Sequence, residues 1–527
     1  MRSTFMGLET AKRGMYSQQS AIYVTGHNIA NKNTPGYTRQ RVNFVQETPY
    51  PAASMNRPQI PGQLGTGVKD GTIQRIRDSL VDGQYRTESN KLGYYESYAN
   101  SVKRMEEIMN EPSDYGLAKA MNQFWQSLED LSTNPENEGA RRVVLQRGKS
   151  VAETFQYLHK SLTTVKAQLG QEIDVTVKEI NSIAVQIAAV NQKISDVEPH
   201  GYLPNDLYDE RDRLLDKLAQ IVPVETKYNS SGGNALEIAD GVADVTITLG
   251  GQAFTLVKGN AASEIKAEKP APNQAGDLIS LTFVDRTNGN AETAIAINPV
   301  ESGKLNALFQ AYGYEDANGN TAGLYPNMID ELDRYAFSFA KIFNTIHQEG
   351  FDKEGKPGQK FFTLDDTAGY KGFAGKIKVE DLKPNQIAAS DAGDPANPDA
   401  IEEGNGKNAL ALANMKDLPI KNSQITLPSG TIVGGLEIES GTIQSYYEGL
   451  IGDMAVKGQQ ANRQNHNSEV LLTSIDKTRK SISEVSLDEE FSNLVQFQHA
   501  YSASARMITT IDEMLEKIIN GMGHVGR

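Results

Sequence analysis

Residues 28–37 read Asn28-Ile29-Ala30-Asn31-Lys32-Asn33-Thr34-Pro35-Gly36-Tyr37, and the first helical pattern of the chain ends in this stretch. Pro35 has no N–H to continue a helix and disfavours helical angles in the residue before it, whereas Gly36 readily adopts turn angles. We therefore predict a helix, a sharp reversal and then an extended segment from Thr38 to Val45. This reversal is called the elbow, and its defining residues are Asn28, Asn31, Thr34, Pro35, Gly36 and Tyr37.

Both ends of the chain have the heptad spacing of a coiled coil. Before the elbow, the heptad positions are spaced three and four residues apart; most are apolar, and polar Gln18 and Thr25 occupy two of them. At the other end, Ser486 and Glu489 form a capping-box pattern where the last helix begins. The predicted seam residues are Leu8, Ala11, Met15, Ile22 and Ile29 at one end and Leu487, Phe491, Leu494, Tyr501, Ile508, Ile511, Leu515 and Ile518 at the other. We predict that these residues form an assembly interface, because one narrow apolar seam on each helix is completed only by neighbouring copies.

Charge supports the same pairing. Residues 1–50 carry six Lys and Arg against two Asp and Glu, while residues 484–527 carry seven Asp and Glu against three Lys and Arg. The two ends therefore have net charges of opposite sign, +4 and −4, although the whole chain has a net charge of −15. If the ends lie side by side, this difference favours their association.

The middle of the chain predicts a multidomain α+β fold. A strongly helical region from about 80 to 222 includes a long helix, Val151 to Val197, and a second one, Asp206 to Ile221. Alternating apolar residues and Gly turns then indicate antiparallel strands, and helix is predicted again between Gly303 and His347 and from Ile443 to about Val485. The predicted units are a terminal coiled coil (1–60 with 485–527), a helical bundle (61–224 with 300–350 and 405–484), a β domain (225–299) and a second β segment or small domain (351–404).

Composition and motifs point away from several classes of function. The chain has no cysteine, no apolar leader with a cleavage site and no membrane-length apolar run, and its acidity disfavours nucleic acid as a partner. The seven histidines are scattered without a helical zinc pair, and no phosphate-binding glycine loop is present. We therefore expect no catalytic residue, no cofactor, no metal, no nucleic-acid partner and no membrane partner.

Two motifs carry a family resemblance. The elbow resembles the Asn-x-x-Asn-x-x-Thr-Pro-Gly-Tyr signature of the rod, hook and hook-associated proteins of the bacterial flagellum. The segments 487–491, 494–498 and 500–503 are similar to the paired C-terminal motif of that family, and 203–212 is similar to a segment of its junction subunits. The combination of this N-terminal motif with a long helical region resembles the hook-associated subunits that join hook to filament.

The resemblance implies a structural axial subunit rather than an enzyme. It implies export without a cleaved signal peptide, an extracellular place at the hook–filament junction, and a cytoplasmic export chaperone on the C-terminal helix. The implied partners are other copies of the chain in a ring, the hook protein and the next hook-associated protein. Two alternatives stay open: a rod or hook subunit of the same family, and a secreted flagellar-surface binding module or enzyme carried in the β inserts.

Overall fold

The computed structural model describes residues 5–52, 54–55, 57–58, 60–109, 116–269, 278–316, 318–365, 369–393 and 404–521. The first and last residues of the predicted terminal unit, 1–4 and 522–527, lie outside the described residues. The chain begins with α1 (Phe5–Asn31), followed by the strands β1 (Gln40–Gln46) and β2 (Val68–Arg75). These strands pair as an antiparallel hairpin with an irregularity between Asn43 and Phe44, so the predicted extended segment after the elbow is a strand.

Four helices then build the main bundle. They are α2 (Ser79–Met109), α3 (Leu117–Thr133), α4 (Glu138–Val197) and α5 (Asn205–Ile221). The 60 residues of α4 make a rod of about 90 Å at 1.5 Å per residue. This helix begins earlier than the predicted Val151, because the side chain of Asn137 caps it by accepting the N–H groups of Gly139 and Ala140 at 2.8 and 3.3 Å.

Seven strands follow and form two antiparallel sheets. The first sheet contains β3 (Val224–Asn229), β4 (Val242–Leu249), β5 (Gln252–Lys258) and β6 (Ala261–Ala262), and the second contains β7 (Glu264–Glu268), β8 (Ser280–Asp285) and β9 (Ala291–Ile295). Alternate residues of β4 are buried, as its sequence predicts. The side chain of Asn191 on α4 donates to the carbonyl oxygens of Ala243 and Gly259, both at 2.8 Å, and so attaches the first sheet to the bundle.

The helix predicted between 303 and 347 is interrupted. It consists of α6 (Lys304–Tyr312) and α7 (Leu324–Glu349), with the short strands β10 (Tyr314–Glu315) and β11 (Thr321–Ala322) between them. Gly313 and Gly323 have φ values of +124° and +135°, which only glycine adopts without strain, and both flank this interruption. The apolar pattern of the two helices is nearly continuous, and for that reason the sequence predicts a single helix.

The segment after α7 is held by side chains more than by strand pairing. In its described parts, 351–365 and 369–393, backbone pairing consists of isolated bridges such as Phe362 with Val379. Asn344 accepts the N–H groups of Phe361 and Phe362 at 2.9 and 2.8 Å. The ring of His347 accepts the Ala388 N–H at 3.0 Å through Nε2 and donates from Nδ1 to Gln359, and burial lowers the pKa of this histidine to about 4.

A small sheet lies in the range that the sequence assigns to the helical bundle. After α8 (Lys407–Asn414) come β12 (Ile420–Lys421), β13 (Gln424–Thr426), β14 (Ile432–Val433) and β15 (Ser440–Gly441), which form one sheet in the order β14-β13-β12-β15. Strands of two or three residues are too short to show alternation. Asn422 and Ser423, with φ values of +50° and +57°, make the two-residue turn between β12 and β13.

Two long helices close the chain, α9 (Ile443–Ser483) and α10 (Leu487–Gly521). α9 packs along α2, and α10 packs along α1. The continuous cluster of buried apolar side chains extends from Val102 to Met454, and its aromatic centre includes Phe124, Phe339 and Phe343. Helices with several small antiparallel sheets confirm the predicted α+β multidomain class, while the domain limits stay a prediction.

Candidate assembly interface

The helices α1 and α10 lie antiparallel in a fixed register. Three close approaches define the register. A Cβ atom added to Gly7 would lie 3.3 Å from Ile511, and one added to Gly14 would lie 3.2 Å from Ser504. Further along, the Asn28 amide donates to Glu490 at 3.1 Å. Each step along α1, first seven and then fourteen residues, is matched by an equal step back along α10. A contact that recurs every seven residues is the geometry of a coiled coil.

The face on which α1 approaches α10 most closely carries small side chains. Gly7, Gly14, Ala21 and Asn28 recur at the seven-residue step, and of these Ala21 and Asn28 are buried, as is Ser17. The predicted seam on α1 lies one position further along the chain, on the adjoining face. Its members Leu8, Ala11, Met15, Ile22 and Ile29 are all only partly buried. The pair is therefore closed by small residues, and the larger apolar residues beside them are incompletely covered.

On α10 the predicted seam is covered to different degrees. Ile511 is buried; Leu487, Leu494, Tyr501, Ile508 and Leu515 are partly buried; Phe491 and Ile518 are exposed. Phe497, which the sequence does not single out, contacts the ring of Phe44 on β1 edge-to-face with 6.2 Å between the ring centres. Aromatic contacts of this kind depend on which face meets the hairpin, and spacing alone does not reveal that.

Both terminal helices keep large apolar side chains in solvent. On α1, Tyr16 and Tyr23 are 53% and 76% exposed and lie seven residues apart. On α10, Met507 and Met514 are 57% and 54% exposed, again seven residues apart. Regularly spaced apolar side chains on the surface of a helix pair are typical of a surface that another chain covers.

The side-chain amide of Asn28 holds the elbow. Its oxygen accepts the Tyr37 hydroxyl at 2.7 Å and the Gln40 N–H at 3.0 Å. Its nitrogen donates to the Gln40 carbonyl at 2.8 Å and to Glu490. Both hydrogen-bonding atoms of this buried amide are therefore used twice, and they connect the end of α1, the start of β1 and the start of α10.

The remaining elbow residues form the turn itself. The Tyr37 N–H donates to the Thr34 carbonyl at 3.2 Å, with Pro35 and Gly36 between them and a φ of +83° at Gly36. This is the arrangement of a type II turn. Asn31 accepts the Thr34 hydroxyl at 3.1 Å and so fixes the entry into the turn. That these six residues act as a functional motif stays a prediction.

Arg39 ties the elbow to the break between α9 and α10. Its N–H donates to the Ser483 carbonyl at 2.9 Å, and its guanidinium group lies 2.5 Å from Glu489 and 2.7 Å from Glu490. The opposite charges of the two chain ends thus meet at the base of the helix pair. The sequence indicates the sign of this attraction but not which residues make it.

One face of α5 carries a cluster of ion pairs that the sequence does not reveal. We call it the joint; it consists of Arg75, Arg77, Arg86 and Arg479 with Asp82, Asp209, Asp212, Asp216 and Asp240. The acids of α5 are spaced three or four apart, which is the only signal in the sequence, and they lie in or next to the family-like segment 203–212. The Thr38 N–H also donates to Asp209, at 2.9 Å.

The electrostatics of the joint differ from one carboxylate to the next. Burial raises the pKa of Asp212, but the guanidinium groups of Arg77, Arg75, Arg211 and Arg86 outweigh burial and hold this pKa well below its usual range. Burial dominates at Asp209, whose pKa is raised despite Arg75. Of these two carboxylates, Asp212 is therefore the one whose charge the arginines stabilise more.

Two further kinds of feature, metal-binding groups and membrane spans, are relevant to the part of the chain that the structure describes. No three His, Asp or Glu side chains are grouped there so as to hold a metal ion. Within the same residues, no helix has the length and apolar character needed to cross a membrane.

Comparisons with known proteins agree with this geometry. A family model described as "Flagella basal body rod protein" matches residues 8–38, and "Flagellar basal body rod FlgEFG protein C-terminal" matches 481–521. "Flagellar hook-associated protein FlgK helical domain" matches 102–362. Flagellar hook-associated protein 1 of Bacillus subtilis (strain 168) is 43% identical over all of both chains. The chain belongs to the flagellar hook-associated protein 1 family.

Other members of the hook-associated protein 1 family match more distantly. The protein of that name from Escherichia coli (strain K12) is 25% identical over 97% of this chain and 99% of its own length. The solved structure of the flagellar hook junction protein FlgK from Burkholderia pseudomallei has a TM-score of 0.58 and 14% identity, covering 76% of this chain and all of that one, and it supports the fold. The rod-type models match only the ends, so the alternative of a rod or hook subunit is weaker.

Proposed function

We propose that this member of the hook-associated protein 1 family joins hook to filament by completing its terminal helix pair with neighbouring copies. The chain is a structural subunit of the bacterial flagellum. The observation that carries the mechanism is the exposed apolar stripe on each terminal helix, with Tyr16 and Tyr23 on α1 and Met507 and Met514 on α10. In this mechanism the stripes are buried only in the assembly.

The two stripes differ, and this difference favours a ring. A surface that pairs with its own copy gives a closed dimer, whereas two different complementary surfaces on one chain continue from subunit to subunit and form a ring when the rotation between subunits closes. The α1 stripe is aromatic and the α10 stripe carries flexible methionines, which adapt to irregular partners. We therefore place other copies in a ring at this interface, with the hook protein below and the next hook-associated protein above.

The remaining parts of the proposal follow from the family and the composition. The chain is exported without a cleaved signal peptide and lies outside the cell at the hook–filament junction, and it acts without catalysis. Before export, a cytoplasmic chaperone covers the apolar side of α10. The absence of cysteine suits export without an oxidative folding step.

The experiment targets the exposed stripe of α10. In the double variant Met507→Glu, Met514→Glu, the charges face solvent in the monomer but would be buried between subunits, where an unpaired charge is strongly unfavourable. Immuno-electron microscopy of intact flagella should show a narrow labelled band at the far end of the hook for the unchanged chain. The double variant should lose this band, while the circular dichroism of its purified monomer stays unchanged.

The matched control is Gln498→Glu, which adds a charge at an exposed position on the opposite side of α10, nine residues before Met507. This variant should keep the band. Normal labelling with the double variant would contradict assembly through the α10 stripe. If the label on the unchanged chain is spread along the filament or confined to the rod, the proposed location at the hook–filament junction is wrong.

A further inference from the structure

The terminal unit, made of α1, β1, β2 and α10, lies outside the apolar core of the body, which comprises residues 79–483. Among the described residues, the core cluster takes its side chains from Val102 to Met454 and none from the terminal unit. The backbone passes between the terminal unit and the body only at 75–79 and at 483–487. Hydrogen bonds to α5 also link the two units, since Asn205 donates to the Ile73 carbonyl at 2.9 Å and the Thr38 N–H donates to Asp209. Because the described parts of the terminal unit and the body share no apolar packing and are joined by two short connections, one can rotate relative to the other unless polar contacts prevent it.

The joint supplies such contacts at the first connection. Arg75, at the end of β2, donates to Asp212 at 2.9 Å and to Asp209 at 2.8 Å. Arg77, in the connection itself, also donates to Asp212. Arg86 on α2 reaches the other oxygen of Asp212 at 3.1 Å. A single carboxylate on α5 thus binds the hairpin, the connection and the body.

The second connection is tied to the same network. Arg479, close to the end of α9, lies 2.7 Å from Asp216 on α5 and 2.7 Å from Asp82 on α2. Asp216 in turn accepts from Arg86 at 2.8 Å. Both routes between the two units are therefore held by carboxylates within one turn of each other on α5.

The geometry of these contacts restricts direction as well as distance. A guanidinium group is planar and presents its N–H groups as a rigid fork, so an arginine held by a carboxylate is fixed in orientation. Satisfied members of a buried polar network make a structure rigid. In the joint, Nη2 of Arg77 is buried without a hydrogen bond to any described residue, although it lies 2.8 Å from Asp82. The side chain of Asp212 is 7% exposed, so water does not weaken its three contacts.

We propose that Asp212, by gathering the guanidinium groups of Arg75, Arg77 and Arg86, is the positioning residue that fixes the direction in which the terminal unit leaves the body. The arrangement sets the angle of the unit before any neighbour binds. Removing the charge of Asp212 releases the angle without dissolving the α1–α10 pair, since that pair makes its own contacts.

The test uses the absence of native cysteine, which allows clean labelling. Spin labels are attached at Gln19→Cys on α1 and Lys160→Cys on α4, both exposed, and the distance distribution is measured by double electron–electron resonance on the full chain. The background with Asp212 intact should give one narrow distribution. Asp212→Asn, which keeps the shape but loses the charge, should broaden it about twofold because the three arginines lose their shared anion.

The control is Asp333→Asn, another buried aspartate whose carboxylate accepts the Gly372 and Ala374 N–H groups at 2.6 and 2.9 Å, far from the joint in sequence. This change should lower the melting temperature and leave the distribution narrow. If Asp212→Asn does not fold, Asp216→Asn removes a more exposed member of the joint and should broaden the distribution less. An unchanged width in the folded joint variant, or a broad distribution with Asp212 intact, would overturn the proposal.

Discussion

At the scale of single residues, the amide of Asn28 connects the end of α1 with the nearby start of β1 and with the start of α10, which is distant in sequence. Asn28→Asp keeps the shape but cannot donate to Gln40 or to Glu490, and it places two carboxylates together. A buried group left without its partner costs about 1–3 kcal/mol, and more when it is charged. Hydrogen exchange should therefore become faster in α1 and α10 and stay unchanged in α3 to α5.

The control for this prediction is Asn137→Asp at the start of α4. It introduces the same chemical change at an exposed position where Asp caps a helix as well as Asn does. Its exchange pattern should equal that of the unchanged chain. Equal protection of the terminal helices in Asn28→Asp would show that the elbow does not hold them.

Sequence patterns identified the elbow residues but not what they contact. The turn formed by Thr34 to Tyr37 follows from proline and glycine chemistry, which is local. Glu490, which contacts both Asn28 and Arg39, lies more than 400 residues away from them. The joint combines arginines from three elements and the connection after β2 with acids on α2, on α5 and before β4. Such contacts depend on the final arrangement of the helices, so spacing in the sequence does not reveal them.

At the scale of elements, the α1–α10 pair depends on residues without bulk. A leucine at Gly14 would enter the space of Ser504, since even its Cβ would lie 3.2 Å from that hydroxyl. Overpacking of this kind costs about 1–3 kcal/mol. Gly14→Leu should therefore open the pair, and trypsin should cleave faster after the exposed Arg506, where cleavage needs local unfolding.

Gly26 offers the matched change on the same helix. A Cβ at this position would meet no atom within 4 Å, so Gly26→Leu adds no clash. Replacing a helical glycine with a good helix former stabilises the helix by up to about 1 kcal/mol. Cleavage of Gly26→Leu after Arg506 should therefore be unchanged or slower. If both variants are cleaved faster, the effect does not come from the close approach of α1 and α10 at Gly14.

Elements were predictable in proportion to their length and periodicity. The patterns that predict α4, α5 and α9 extend over many turns, and the structure confirms these helices. The short strands between Ile420 and Gly441 carry too few residues for a pattern. The exact face of α1 that meets α10 also differs from the predicted seam, because glycine and serine give no hydrophobic signal although they allow the closest approach.

At the scale of the whole molecule, the surface is large for the mass. The chain exposes 28387 Å², whereas a compact monomer of 57.6 kDa exposes about 19,000 Å². The excess follows from long helices such as α4, α9 and α10 that are covered on only part of their circumference. A subunit built for assembly has this property, since neighbouring copies cover the remaining faces.

The separation of the two units leads to the last prediction. The apolar core lies wholly between Val102 and Met454, and the arginines and aspartates of the joint lie between residues 75 and 479, so residues 75–483 retain both. A chain of these residues should melt within a few degrees of the main transition of the full chain, because a loss of 1 kcal/mol lowers the melting temperature by about 2–4 °C in domains of 150–250 residues. Differential scanning calorimetry checks this. A collapse of the transition would mean that α1 and α10 stabilise the body directly, and the joint would then not be the principal link between the two units.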